Sequence, residues 1–145
     1  MRTIVIGDIH GCLTALRTLA DLVGLGEGDR LITLGDYVDR GPDSAGVIDW
    51  LLEWRQQREL IALRGNHEVM MIHARVNGAV VPEWLGFGGE ATMVSYHAFT
   101  MSGIPGEHWE FIEQVARPWA ELENEFFVHA TVDPDLPLTD QDDVS

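Results

Sequence analysis

Three short apolar runs, each ending at a glycine and each followed by polar residues, constrain the fold of this chain most. Ile4-Val5-Ile6 stops at Gly7, Leu31-Ile32-Thr33-Leu34 stops at Gly35, and Leu60-Ile61-Ala62-Leu63 stops at Arg64-Gly65. Apolar runs this short, bounded by turn residues, read as buried strands. Between them the apolar spacing becomes helical. Leu13, Leu16, Leu19, Ala20 and Val23 precede a stop at Gly24, and Val47, Ile48, Leu51 and Leu52 lie in a helix starting near Ser44. A third helix is expected from Glu68 to Arg75. Strand and helix alternating in this way imply right-handed crossovers and a largely parallel α/β sheet.

Beyond Asn77 the pattern weakens. Phe87-Gly88-Gly89-Glu90 reads as a loop, Ala91 to Phe99 as a helix, and Pro105 as the first position of a helix carrying Trp109, Phe111, Ile112 and Val115. Glu125 to His129 reads as a late strand, Pro134 and Pro137 break regular structure, and Asp140 to Ser145 forms a polar tail. With no repeat and no linker, residues 1–145 read as a single domain. A chain of 145 residues buries roughly 68–70% of its unfolded surface, so it needs no disulfide or structural metal merely to fold.

The polar residues after the strands carry the chemistry. They are Gly7-Asp8-Ile9-His10-Gly11, Gly35-Asp36-Tyr37-Val38-Asp39-Arg40-Gly41 and Gly65-Asn66-His67-Glu68. Carboxyl ends of parallel strands open onto one crevice, so the three clusters should converge. Asp, His and Asn together suit a divalent transition-metal site. Asp8 and His10 are two residues apart and could point the same way on an extended segment. Asp36 adds a carboxylate with oxygens enough to bridge two ions. No cysteine–histidine spacing for structural zinc is present.

Charge narrows the ligand. Twenty-four acidic residues face nine basic ones, all arginine, for a net charge of −15. That field repels nucleic acid and anionic membrane surfaces, but a metal can reverse it locally for a small phosphate ester. No apolar run approaches the ~20 residues of a membrane span. The N-terminus leads directly into a strand, without signal-peptide anatomy. Cys12 is the only cysteine, so no intrachain disulfide forms. These features predict a soluble, cytoplasmic protein.

The three clusters, with Arg64 before the third, resemble the signature blocks of the phosphoprotein phosphatase family of calcineurin-like metallophosphoesterases, whose bacterial members include serine/threonine protein phosphatases. Phe127-Val128-His129-Ala130 resembles the family's later strand ending in a ligand histidine, and Gly88-Gly89-Glu90-Ala91-Thr92 resembles a Gly-Gly segment of bacterial members. The resemblance implies a metallophosphoesterase-type α/β sandwich of mixed sheets flanked by helices (αββα). It implies two divalent ions, manganese first and iron, zinc, nickel or cobalt as alternatives. Asp8 and His10 would bind the first ion, Asp36 would bridge, and Asn66 and His129 would bind the second. Arg40 and Arg64 would hold phosphate oxygens, and His67, oriented by Asp39, would protonate the leaving alkoxide. The implied reaction is hydrolysis of phosphoserine or phosphothreonine in a phosphoprotein or phosphopeptide, by direct attack of a hydroxide held between the ions.

The resemblance also has gaps. Thr131 stands where the family usually has Gly, and no Gly-His-Thr segment, which supplies a further ligand histidine in the family, occurs in the chain. The expectation is a C-terminally incomplete domain lacking its last strands, or a variant with a weakened second site. Two alternatives stay open: a symmetrical diadenosine tetraphosphate hydrolase, and a weak or inactive metal-binding fragment. His73, His97 and His108 are set aside as ligands, Met70-Met71 is read as core filler, and Cys12 is read as a buried thiol. The tryptophans at 50, 54, 84, 109 and 119 are read as packing, with Trp84 able to line the cleft.

Overall fold

A computed structural model describes residues 1–141. Three strands, β1 (Arg2–Ile6), β2 (Asp29–Thr33) and β3 (Glu59–Ala62), pair in the order β1-β2-β3, all parallel. Helix α1 (Leu13–Val23) joins the first two and α2 (Ser44–Gln57) the second pair, as the helical spacing predicts. Gly24 ends α1 in the left-handed conformation that glycine adopts at no steric cost. Asp43 caps α2 by accepting from Gly46 N. Helix α3 (Asn66–Val76) starts two residues earlier than expected, because Glu68 reaches back to accept from Gly65 N and closes its first turn.

The alternation of β2 and β3 feeds two cores. Leu31 and Ala62 face the helices, in a cluster with Leu16, Val47, Ile48, Leu51 and Met71. Ile32, Ile61 and Leu63 face the other way, onto Ala120, Leu122 and Phe127. That second layer is an antiparallel pair, β4 (Trp119–Glu121) with β5 (Phe126–Val128). β5 falls within the expected late strand. β4 carries no apolar run, and its pairing partner is what makes it a strand. Val5, on the same face of β1 as Ile32 on β2, is 45% exposed.

The middle of the chain departs from expectation. Residues 87–90 are not an open loop: helix α4 (Val81–Trp84), a π-helical turn (Leu85–Gly89) and helix α5 (Glu90–Ser95) run on from one another, with a kink at Gly88. Helix α5 ends at Ser95 rather than Phe99, and Phe99 is fully exposed. Pro105 caps helix α6 (Gly106–Glu110) from outside instead of occupying its first position, and a π-helical turn (Phe111–Val115) follows. Leu138–Asp140 forms one 3₁₀ turn after Pro137. Asp140 and Gln141 of the expected tail are thus structured or bonded, and the rest of it lies outside the described residues. Among the described residues, no helix is long and apolar enough to cross a membrane.

Candidate metal centre

Register sets the site. Ile6, Thr33 and Ala62 stand level across the sheet, so the three polar loops leave one edge together. Ile9 N and His10 N donate to the Asp36 carbonyl at 3.0 and 2.7 Å, and Gly11 N donates to the Tyr37 carbonyl at 2.8 Å. The Glu68 carboxylate, fully buried, accepts from Asp36 N, Tyr37 N and Gly65 N at 2.8 Å each and from Val38 N at 3.2 Å. Burial and the charge of Asp36 push its carboxyl up to about 7, against those N–H donors. Four residues of the site, His10, Asp36, Asp39 and Arg40, hold φ between 43° and 70°. Non-glycine residues in that region cost about 1–3 kcal/mol each and persist where surrounding bonds over-determine them. Gly35 (φ 108°) lets this loop lie against Gly65, whose backbone a Cβ would strike.

Asp36 occupies the centre. Its Oδ2 lies 3.3 Å from His10 Nε2 and its Oδ1 lies 3.5 Å from His129 Nε2, so each oxygen faces a different histidine. His10 Nδ1 bonds the Val38 carbonyl at 2.9 Å and His129 Nδ1 the Leu34 carbonyl at 2.8 Å. A carbonyl only accepts, so both rings carry the proton on Nδ1 and turn the Nε2 lone pair inward, the tautomer of a metal-ligating histidine. His129 Nε2 also meets Asn66 Oδ1 at 3.1 Å. With the amide oxygen on this side, both atoms turn lone pairs to the same point, where a cation would draw on them. The donor set therefore fits divalent ions, and two groups of ligand atoms, His10-Asp36-His67 and Asp8-Asp36-His129, each gather within 4.8 Å.

These groups divide the residues differently from the sequence expectation, which paired Asp8 with His10. His10, itself in a left-handed turn, groups with His67, and the half-exposed Asp8 groups with His129, whose Nδ1 lies 4.0 Å from Asp8 Oδ1.

His67 is buried behind His10, its ring edge-on at 4.7 Å between centroids. Its Nδ1 lies 2.7 Å from Asp39 Oδ2, which leaves Nε2 for the cluster. Burial opposes a charge on the ring, but the Asp39 hydrogen bond and the charges of Asp36 and Asp39 outweigh it, and the pKa is raised above 6.5. Asp39, also buried, receives the Trp84 indole N–H at 3.0 Å and the Thr92 hydroxyl at 2.7 Å.

The arginines separate. Arg40, exposed, sends Nη1 to within 3.2 Å of His10 Nε2. Arg64 is directed elsewhere: Nε and Nη2 donate to the Ile112, Glu113 and Ala116 carbonyls at 2.7–3.1 Å, at the end of the helical segment after Pro105. The Nε and Nη2 donors of Arg64 thus point to these carbonyls and not to the histidine cluster.

Sequence reasoning assigned no role to Glu68, Thr92 or the Trp84 N–H. The capping position of Glu68 was a usable signal; the other two lie outside the three clusters. Cys12 is exposed rather than buried, since it sits just before α1 with its side chain off the core. His73 and His97 are exposed, and His108 is buried on Tyr96 and Asp49, away from the cluster. Trp84 is packed at 2% exposure; its ring borders a cavity shared with Val81, Met93 and Met101, and its N–H is turned to Asp39.

Comparison with known proteins agrees with this geometry. A family model for calcineurin-like phosphoesterases matches residues 1–142. Serine/threonine-protein phosphatase 1 of Salmonella typhimurium is 33% identical over 140 residues, covering 93% of this chain and 59% of its own length. A symmetrical bis(5'-nucleosyl)-tetraphosphatase of Wigglesworthia glossinidia brevipalpis is 34% identical over 74 residues, covering 49% of this chain and 26% of that protein. A crystal structure of a candidate diadenosine tetraphosphatase superposes with a TM-score of 0.70 at 26% identity, over 97% of this chain and 55% of the other. A serine/threonine phosphatase from Saccharomyces cerevisiae shares the fold, with a TM-score of 0.63 at 20% identity over 95% of this chain and 41% of the other. The chain thus spans under two thirds of the length of these relatives.

Proposed function

From the premise that this chain belongs to the calcineurin-like phosphoesterase family, we propose that it hydrolyses phosphoserine and phosphothreonine monoesters with two divalent ions, manganese first among them. The observation that carries this reading is Asp36 with one oxygen toward each of two histidines, both rings presenting Nε2. Bound there, the ions would activate water as the nucleophile and neutralise charge on the phosphoryl oxygens.

The chain's own residues do the rest. Asp8, His10, Asp36, Asn66 and His129 hold the ions. Arg40 leaves His10 Nε2 to a metal and turns its fork to the phosphate oxygens, a planar match for phosphate. His67 gives its Nε2 proton to the leaving alkoxide, which is a poor leaving group without it. Asp39 keeps the other ring nitrogen protonated and the imidazole oriented. Glu68 fixes the Asp36–Val38 backbone, on which both metal groups depend. We place this chemistry in the cytoplasm, in keeping with a single cysteine.

Symmetrical cleavage of diadenosine tetraphosphate is the second reading, favoured by the tetraphosphatase relatives and by the superposed candidate tetraphosphatase. The phosphatase reading is supported by the longer match, 93% against 49% of this chain. Side-by-side turnover of a phosphoserine peptide and diadenosine tetraphosphate separates them: preference for the dinucleotide overturns the first. Metal content separates both from an inactive binding fragment, for which one ion or none per chain is expected.

A further inference from the structure

We infer that Trp84 and Thr92, from the α4–α5 segment, are positioning residues for proton donation to the leaving group, acting through Asp39. The inference rests on the proposed role of the His67–Asp39 pair and extends it to residues outside the three clusters.

Asp39 is a carboxylate with no exposure to solvent, and three donors from three elements reach it. His67 Nδ1 and Trp84 Nε1 share Oδ2 at 2.7 and 3.0 Å, and the Thr92 hydroxyl takes Oδ1 at 2.7 Å. An indole N–H only donates, so Trp84 bonds Asp39 as the acceptor. The Thr92 hydroxyl spends its single proton on Oδ1. It therefore accepts from Asp39 N at 2.8 Å and from the Ser44 hydroxyl at 3.1 Å, filling both lone pairs. Ser44 and Thr92 are both fully buried. Every polar atom of this network is matched, and its orientation leaves no freedom to Asp39, whose backbone is itself held at φ 70°.

The consequence is chemical. With Oδ1 committed to Thr92 and one side of Oδ2 to Trp84, the carboxylate can meet His67 only at Nδ1, and the imidazole turns Nε2 to the substrate side. Lost donors would let Asp39 rotate and His67 drift, so the proton would arrive late or misaligned. Such a defect weighs on esters whose leaving group needs the proton. A serine alkoxide does; a nitrophenolate leaves readily without it. A general structural defect lowers both alike.

The test compares wild type, Thr92→Val, Thr92→Ser and Trp84→Phe, each as the metal-loaded full chain, on a phosphoserine peptide and on p-nitrophenyl phosphate. Thr92→Val and Trp84→Phe are expected to lower kcat on the peptide at least about ten-fold more than on the aryl ester, and Thr92→Ser to recover most of the loss. Equal losses on the two substrates, or no recovery with serine, overturn the inference. A wild type inactive on both esters overturns the reading of the site itself, and this inference with it. Should Thr92→Val fail to fold, the ratio is read from Trp84→Phe. In the wild type, hydrogen exchange of the Trp84 indole N–H is expected to be slow, and exchange at the rate of free indole also overturns the inference.

Discussion

Asp39 Oδ2 lies 2.7 Å from His67 Nδ1, with both side chains sealed from solvent. A buried pair of this kind fixes one ring nitrogen and frees the other for chemistry. Asp39→Asn preserves size but removes the charge. It is expected to lower kcat on a phosphoserine peptide about 10²–10⁴-fold, the usual worth of a general acid, while metal content stays at wild-type stoichiometry. An unchanged kcat would remove His67 from the proton-donor role.

Stability should depend on pH with a definite sign. His67 and Glu68 both bind their protons more tightly folded than unfolded. What each contributes is complete below its unfolded pKa and is lost as pH rises through its folded value. For Glu68 the window runs from 4.5 to about 7, a loss on the order of 3 kcal/mol. For His67 it begins near 6.5 and extends upward. Urea midpoints of the chelator-treated protein should therefore fall from pH 4.5 to 8. Glu68→Gln, less stable because an amide NH2 replaces one of the two oxygens that accept from the four N–H groups, should show a flatter profile. A wild-type profile rising across that window contradicts the assignment.

Arg40 and Arg64 should behave oppositely. Arg40→Ala removes an exposed guanidinium beside His10 and is expected to raise KM for the phosphoester with little change in Tm. Arg64→Ala abandons three carbonyls at the end of the helical segment and should cost about 1–3 kcal/mol of stability. Thermal melts and steady-state kinetics on the two variants decide the matter; reversed effects would return Arg64 to the phosphate.

Gly88 and Gly89 hold the α4–α5 segment against the site. Gly88 (φ 114°) packs on the Arg40 backbone and its carbonyl accepts from Arg40 N at 3.1 Å, while a Cβ on Gly89 would enter the Trp84 ring. Either alanine substitution should lower stability by about 1–3 kcal/mol and reduce kcat/KM, measured by urea unfolding and peptide turnover. Wild-type stability in Gly89→Ala would show that the close approach is relaxed in solution.

Much of the architecture was legible because local signals agreed. Ile4-Val5-Ile6, Leu31 to Leu34 and Leu60 to Leu63 are strands by composition, and Gly7, Gly35 and Gly65 mark where each turns. Convergence of Asp8, His10, Asp36, Asn66 and His67 followed from parallel strands alone, and His129 meets the cluster from the bend just after β5. What escaped was set by tertiary contact. β4 exists because β5 pairs with it, and the chain turns left-handed at His10 where the Asp8–His10 spacing reads as an extended segment. Residues 87–90 break the helical path only at Gly88 (φ 114°), and the close approach of Gly89 to the Trp84 ring holds the two helical pieces together. Trp84 and Thr92 reach Asp39 from 45 and 53 residues along the chain, a distance no local pattern encodes.

The most direct test of the account is phosphate release from a phosphoserine peptide by the manganese-loaded protein, with metal content measured on the same sample. The account predicts two ions per chain and steady release that chelation abolishes and Asp36→Asn eliminates together with the bound metal. No release from fully loaded protein, or undiminished release after Asp36→Asn, would contradict it.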